Sequence, residues 1–401
     1  MTIKTSIVAS LLFATSVNAQ NINEELLNAL EHNVGNIAGS IKLHYHDVES
    51  NNIDGNVGSV GSKINYVSPS YENWKASIGG QFAHELWGQN SNSISNGINK
   101  SDGFVLSNLY LQFAQDNYGV KIGRQYLHSP LITTSNNQGV IDEAIQGILW
   151  GGEYNHFHYG FGWFNNFQTV SDKNGNVGHF DRKINLAGIG KHHFENIYTL
   201  YIANEICDKL TTQLQYVYTT DVSFLNTKDN ISILHISAQY DFKFYDQEFK
   251  SKVMWRNSGG LESYDGNYIG GSIGMYGFNG LDVSFAYGQT NNKDLIAGLG
   301  KEGADKVLTS MMLSGGEHLL EKDTRSFLLD VGYDFGKSGY KGLSTKIQYG
   351  FGKQNTEDFH GIEGKIVYYG KNNLISTLSL GKVNRSQIKE KNIHIQIAYT
   401  F

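Results

Sequence analysis

Ile393-His394-Ile395-Gln396-Ile397-Ala398-Tyr399-Thr400-Phe401 is the stretch whose reading decides the fold. Apolar and aromatic side chains stand at 393, 395, 397, 399 and 401, with polar or small ones between them. A period of two residues is that of a β-strand with one greasy and one hydrophilic face. An aromatic side chain at the very end sits where an interfacial ring would sit, and the apolar edge suits closure against a first strand.

Working outward, the same alternation recurs along the chain. Ile41, Leu43 and Tyr45 alternate with Lys42, His44 and His46. Trp74, Ala76, Ile78 and Phe82 share a face opposed to Lys75, Ser77 and Gln81. Leu281, Val283, Phe285 and Tyr287 form another such face, as do Phe327, Leu329, Val331, Tyr333 and Phe335, and then Leu343, Thr345, Ile347, Tyr349 and Phe351.

Composition agrees. The 401 residues include 46 Gly and 24 Tyr but two Pro, and charged residues make up 17%, below the ~25% of an ordinary soluble domain. Mean hydropathy is −0.35, and no run beyond the N-terminus approaches the ~20 apolar residues of a membrane helix. A membrane barrel hides its hydrophobicity in this way, because lipid-facing and lumen-facing residues average out. The net charge of −6, without a basic block, argues against nucleic acid. Cys207, the one cysteine, has no internal partner and reads as a wall side chain rather than a reactive thiol.

Connections separate a barrel from a soluble sandwich. Short joints are expected at 116–117, 151–153, 277–280, 336–340 and 370–372. Long polar ones are expected at 85–103, 127–142, 165–193, 257–267 and 290–324. Their rough alternation is that of tight periplasmic turns and long outer loops. Aromatics flank the short joints, as with Phe113 and Tyr118, Trp150 and Tyr154, or Phe335 and Tyr340. Rings at one height make an interfacial girdle. With both termini on one side the strand count must be even. Placing 184–191 inside a long outer loop gives about 18 strands. The alternative keeps that segment as a strand and merges or removes a neighbour between 195 and 218. The expected class is therefore all-β, a transmembrane antiparallel β-barrel.

Residues 1–19 read as a secretory signal peptide. Lys4 is the positive element, Ile7-Val8-Ala9-Ser10-Leu11-Leu12-Phe13 the apolar core, and Val17-Asn18-Ala19 the cleavage site. Residues 20–36 are expected to be a periplasmic lead-in, with one or two helical turns or a frayed segment over 22–30, and residues 37–401 the barrel. The terminal Tyr399 and Phe401 resemble the signal read by the bacterial barrel-assembly machinery.

Two segments carry a wider resemblance. Gly119-Val120-Lys121-Ile122-Gly123-Arg124-Gln125-Tyr126, followed by Leu127-His128-Ser129-Pro130-Leu131-Ile132, resembles the OprD-type porins, whose strand ends in Gly-Arg-Gln before a stiff Pro-Leu at the head of the third outer loop. The acidic-apolar start at 24–45 is similar too. After Asn136 the chain departs: Val140-Ile141-Asp142-Glu143-Ala144-Ile145-Gln146 stands where the family pattern has an Asn-x-Phe-Glu type segment. The resemblance implies an 18-strand barrel, a third loop folded inward, and passive uptake of small, often carboxylate-bearing solutes across the outer membrane of a Gram-negative bacterium.

The hydrophilic faces then nominate pore-lining or constriction residues: Lys42, Lys63, Lys75, Lys121, Arg124, Asp142, Glu143, Lys250, Lys252, Arg256 and Lys346. Lys365 joins the basic set, and Asp241, Asp282, Asp330, Asp334 and Glu363 the acidic one. A wall leaning basic concentrates anions. Asp142 and Glu143 could oppose Lys121 and Arg124 across a constriction, or lie outside it as solvated loop charges. The expected partners are outer-membrane lipid, the assembly machinery and small polar solutes, as monomer or trimer.

No enzyme, cofactor or metal is expected. His156 and His158 share a face of 154–164 but lack a nucleophile and orienter. His192-His193 reads as a turn pair, and Asp172-Lys173-Asn174-Gly175-Asn176 lacks the Gly and Glu of a calcium loop. A surface-exposed structural or host-interaction barrel with a closed lumen is the competing function.

Overall fold

The computed structural model describes residues 35–50, 54–89, 101–136, 139–172, 174–186, 190–207, 209–224, 227–300, 307–313, 317–385 and 388–401. The expected signal peptide and most of the lead-in lie outside them. Among the described residues, strands run in the order β1 Asn36–Ser50, β2 Asp54–Val67, β3 Trp74–Gln89, β4 Gly103–Gln115, β5 Tyr118–Gln125, β6 Ala144–Tyr154 and β7 Phe157–Gln168. Three short pieces follow: β8 Phe180–Asp181, β9 Lys183–Leu186 and β10 Gly190–His193. Then come β11 Asn196–Cys207, β12 Leu210–Phe224, β13 Thr227–Phe244, β14 Gln247–Gly259, β15 Asn267–Phe278, β16 Leu281–Thr290, β17 Thr324–Asp334, β18 Leu343–Gln354, β19 Glu357–Tyr369, β20 Leu374–Arg385 and β21 Ile388–Thr400.

Each long strand pairs antiparallel with the next, β7 pairs with β11, and β21 returns to β1 with Ser40 opposite Thr400 and Ser50 opposite Glu390. The result is a closed barrel of 18 strands. Closure leaves no sheet edge, the condition for a sheet to stand in lipid. The pieces β9 and β10 pair with each other outside the barrel ladder, within the fourth loop. Segment 184–191 is therefore loop, and the even count follows.

At the end where β1 starts and β21 finishes, joints are tight. Asn155-His156, Tyr245-Asp246 and Asn279-Gly280 each take positive φ at both residues. That conformation lets a two-residue turn follow the right-handed strand twist. One expected joint is corrected: residues 151–153 lie inside β6, and the chain turns at Asn155-His156. His156 is thus a turn residue, and only His158 stands on a strand. At the opposite end are the long loops, third (126–143), fourth (169–195) and seventh (291–323), but also connections of two or three residues at 51–53, 225–226, 355–356 and 386–387. Loop length is asymmetric without strict alternation.

The outer face is greasy. Ile41, Leu43, Ile64, Ile78, Phe82, Ile122, Val253, Ile269, Ile347, Ile395 and Ile397 are all exposed. Left in water, each large side chain would forgo ~1.5–3 kcal/mol of burial, so the surface suits an apolar surrounding. Trp74, Tyr118, Trp150, Tyr154, Phe244, Tyr340, Tyr368 and Phe401 are exposed near the turn end, at the level a girdle requires.

The inner face is not uniformly hydrophilic, which period-two alternation alone does not reveal. Leu149, Phe164, Ile197, Val217, Ile231 and Ile233 point inward from β6, β7, β11, β12 and β13 and are buried. They pack against Leu127, Leu131 and Ile132 of the third loop, Ile184 and Leu186 of the fourth, and Ile296 and Leu299 of the seventh. One side of the barrel thus encloses a hydrophobic core made of its own loops.

Candidate constriction site

Three loops meet inside the barrel and are joined through their main chains. Leu299 N–H donates to Leu131 O (2.7 Å), Thr133 N–H to Leu299 O (3.1 Å), and Gly300 N–H to Asn185 O (2.9 Å). Gly300 sits at φ 89°, and a Cβ there would lie 1.9 Å from Thr133 O. Glycine is the residue that permits this approach.

The third loop spans the lumen. β5 ends at Gln125, where the Gly-Arg-Gln motif ends. Pro130-Leu131 reaches the far wall, where Leu131 N–H donates to Gln215 Oε1 of β12 (2.8 Å) and Arg256 Nη2 of β14 donates to Pro130 O (3.0 Å). The returning arm reaches the other wall. Gly139 O accepts from Gln396 of β21 (3.4 Å), and Val140 packs on Gly61 of β2, where a Cβ would come within 2.5 Å of the Val140 side chain. In an 18-strand ring, β14 and β2 face one another across the diameter.

Asp142 anchors that arm. Its Oδ2 is 2.8 Å from Lys63 Nζ, its Oδ1 accepts from Asn136 N–H, and its main chain exchanges two bonds with the Gln81 amide at 2.7 and 3.0 Å. Burial alone would raise the carboxyl's pKa. The Lys63 ammonium, helped by Lys42 and the Asn136 N–H, outweighs burial and holds Asp142 below the usual carboxylate range. Lys63 also lies 3.5 Å from the centre of the Tyr126 ring, whose hydroxyl is 2.6 Å from Ser107 Oγ. Burial pushes the Tyr126 hydroxyl up.

Glu143, the neighbouring acid, is fully buried and accepts from Asn185 of the fourth loop (2.8 Å). Arg124 is engaged by Gln146 Oε1 and Leu106 O, both at 3.1 Å, and lies 4.4 Å from the Phe180 ring. Lys121 is buried, 4.5 Å above the Tyr110 ring. The ion pair across this site is therefore Lys63–Asp142.

The remaining basic candidates divide by partner. Lys346 pairs with Asp330 (2.6 Å) and Lys250 with Asp241 (3.8 Å). Arg256 is buried, donating from Nε to His235 Nδ1 (3.1 Å) and from Nη1 to Ala297 O (2.9 Å) as well as to Pro130 O. It bridges the third and seventh loops through their carbonyls. Lys42, Lys75, Lys121 and Lys252 have no carboxylate partner among the described residues. Lys75 and Lys121 are level with one another, since both oppose Gln112 of β4. Glu363 is buried and accepts from Leu313 N–H (2.7 Å), while Gln348 accepts from Met312 N–H (2.9 Å). The seventh loop is thereby held on β18 and β19.

Sequence reasoning missed His235, Gln215 and Gln81, whose side chains hold the loops, and the histidines at the closure seam. The inward parity of these residues was readable; their loop partners were not.

No family model matches the chain and no curated protein sequence matches it. Solved structures do. Pseudomonas aeruginosa OccK9 (OpdG) superposes with a TM-score of 0.79 at 12% identity, covering 93% of this chain and 99% of that one. Acinetobacter baumannii OccAB4 gives 0.77 at 14% identity, covering 92% and 98%. P. aeruginosa OpdK, solved with vanillate, gives 0.76 at 13% identity, covering 93% and 99%. The chain has the eighteen-strand fold of these OprD/Occ-type porins.

Proposed function

We propose that this chain is an outer-membrane porin through which small polar solutes diffuse passively, with a preference for anions such as carboxylates. The observation that carries the reading is the third loop crossing a closed barrel from β14 to β2, held to both walls by side chains. A greasy outer face and an inner face with many polar groups need lipid outside and water inside.

The anion preference rests on which charges are compensated. Lys63, Lys250 and Lys346 are paired with carboxylates, and Arg256 is occupied by carbonyls. Lys42, Lys75 and Lys252 remain as inward-facing cations, and Lys121 faces inward against the Tyr110 ring. Cations spread along a narrow aqueous path attract anions and still release them.

Purified chain in planar bilayers tests both parts. Stepwise conductance is expected, with a reversal potential in a KCl gradient that favours chloride. Silence under all voltages would support the competing surface barrel with a closed lumen. Conductance with cation preference would remove the anion reading and keep the pore.

A further inference from the structure

Three histidines face inward at the seam where the first and last strands close the barrel. His46 of β1 lies directly opposite His394 of β21, and His44 is two residues along the same face. All three are buried. The His46 and His394 ring centres are 3.8 Å apart, and those of His44 and His394 5.3 Å. His44 Nε2 stands 3.3 Å from His394 Nδ1.

That distance is long for a well-made hydrogen bond between neutral groups. It matches the separation of two donors on one tetrahedral ion: zinc–nitrogen bonds of about 2.0–2.1 Å give an edge of about 3.3–3.4 Å. The other nitrogen of His44, Nδ1, is buried without a hydrogen-bond partner. A second layer is in place as well. His46 Nε2 is 3.2 Å from Asn392 Oδ1, and the Asn392 amide donates to the Glu390 carboxylate. A carboxylate–amide–imidazole chain of this kind fixes ring orientation around a metal. Lys42, two residues from His44 on the same face, is the opposing charge.

We propose that His44 and His394 bind a divalent transition ion of the zinc or copper class, with His46 and the Asn392–Glu390 pair setting the orientation of the cluster. Imidazole nitrogens suit these ions. Binding requires that both facing nitrogens present lone pairs. An imidazole with its proton on the other nitrogen does so. The ion ties β1 to β21 on the inward side of the seam.

The test uses the full mature chain refolded in detergent, stripped with chelator and titrated with Zn2+ alone by calorimetry and with Cu2+ alone by electron paramagnetic resonance. It does not depend on conduction, so its failure leaves the pore reading untouched. One equivalent should bind, with nitrogen couplings in the copper spectrum and a raised unfolding temperature. His44→Gln and His394→Gln should each weaken binding at least about tenfold, Asn392→Ala should weaken it while retaining the nitrogen couplings, and His360→Gln on β19 should change nothing. Folding of each variant is checked by heat-modifiable migration; a variant that fails it is replaced by His→Asn at the same position. Absence of saturable binding, or binding unaltered by both His44 and His394 substitutions, overturns the proposal and leaves a histidine–histidine hydrogen bond only.

Discussion

Lys63 Nζ lies 2.8 Å from Asp142 Oδ2, joining a wall strand to the returning arm of a loop that left the wall three strands away. Both side chains are mostly shielded from solvent. Removing one partner leaves the other charge in a poorly hydrated place, which costs more than the net worth of the pair. Asp142→Ala should therefore loosen the third loop by on the order of 1–3 kcal/mol while leaving the barrel closed. The expected readout is faster protease cleavage within 126–143 and noisier single-channel current. Lys63→Met with Asp142→Leu should recover most of the loss, because no charge is then stranded. A double variant as loose as Asp142→Ala alone would show that the pair does not hold the loop.

The same pair gives a pH dependence of known sign. Asp142 has a depressed folded-state pKa, so the unfolded loop binds its proton more readily than the docked one. The stabilisation is present above the ordinary carboxylate range and is lost as pH falls through the lower, folded value. Loop-dependent current noise should stay flat around neutrality and rise in acid. In Asp142→Asn the acid-induced change should vanish and the noise should be high throughout. An unchanged acid response in that variant would assign the effect to another carboxylate.

Arg256 reads in sequence as a pore cation, yet in the fold it holds Pro130 O and Ala297 O together. Arg256→Lys keeps the charge but cannot span both carbonyls and His235 with one ammonium. Each lost charge-assisted bond is worth about 1.5–3 kcal/mol. Arg256→Lys should therefore open the contact between the third and seventh loops, raise mean conductance and lower loop protection in hydrogen exchange at 126–143 and 291–300. A shift in ion selectivity with no change in exchange would restore Arg256 to a simple wall charge.

The difference between those two readings of Arg256 marks what the chain discloses before folding. Strand parity is local: Lys252, Met254 and Arg256 must share one face of β14 whatever lies opposite. The greasy outer face, the girdle at the turn end and the placing of 184–191 in a loop follow from parity and counting. Partners across the lumen do not. Pro130 and Arg256 are 126 positions apart, and only the closed ring brings them together. The inward Leu149, Phe164 and Ile197 also look anomalous on a hydrophilic face until Leu131 and Leu299 are laid against them. Sequence left Asp142 and Glu143 either at a constriction or outside it as solvated loop charges; their contacts with Lys63 and Asn185 needed the folded loops.

Gly300 offers a test that leaves every charge in place. Its φ of 89° and the 1.9 Å approach of Thr133 O to a would-be Cβ both oppose any side chain. Gly300→Ala should cost about 1–3 kcal/mol of loop docking, detaching Thr133 from Leu299 without touching the wall. The barrel should still form and resist detergent, while hydrogen exchange quickens at 131–133 and 184–186. If those amides stay protected, the junction of the three loops is not what orders them.

The four inward-facing lysines without a carboxylate partner among the described residues predict selectivity position by position. Lys75 and Lys121 stand level on neighbouring inward faces, so Lys75→Glu with Lys121→Glu reverses two charges at one height of the path. Lys250→Glu instead places a second carboxylate beside Asp241, near the turn end, where both side chains are more exposed than Lys63 and Asp142. Exposed charges are screened over about 8 Å at physiological salt, so reversal potentials should be measured in dilute KCl. The Lys75/Lys121 pair of substitutions should move the potential toward cation preference and weaken block by a small aromatic carboxylate. The Lys250 change should move it less. Equal shifts from both would mean that anions sense the net charge of the barrel rather than a path along β3 and β5. No shift from either would place the permeation route away from this wall.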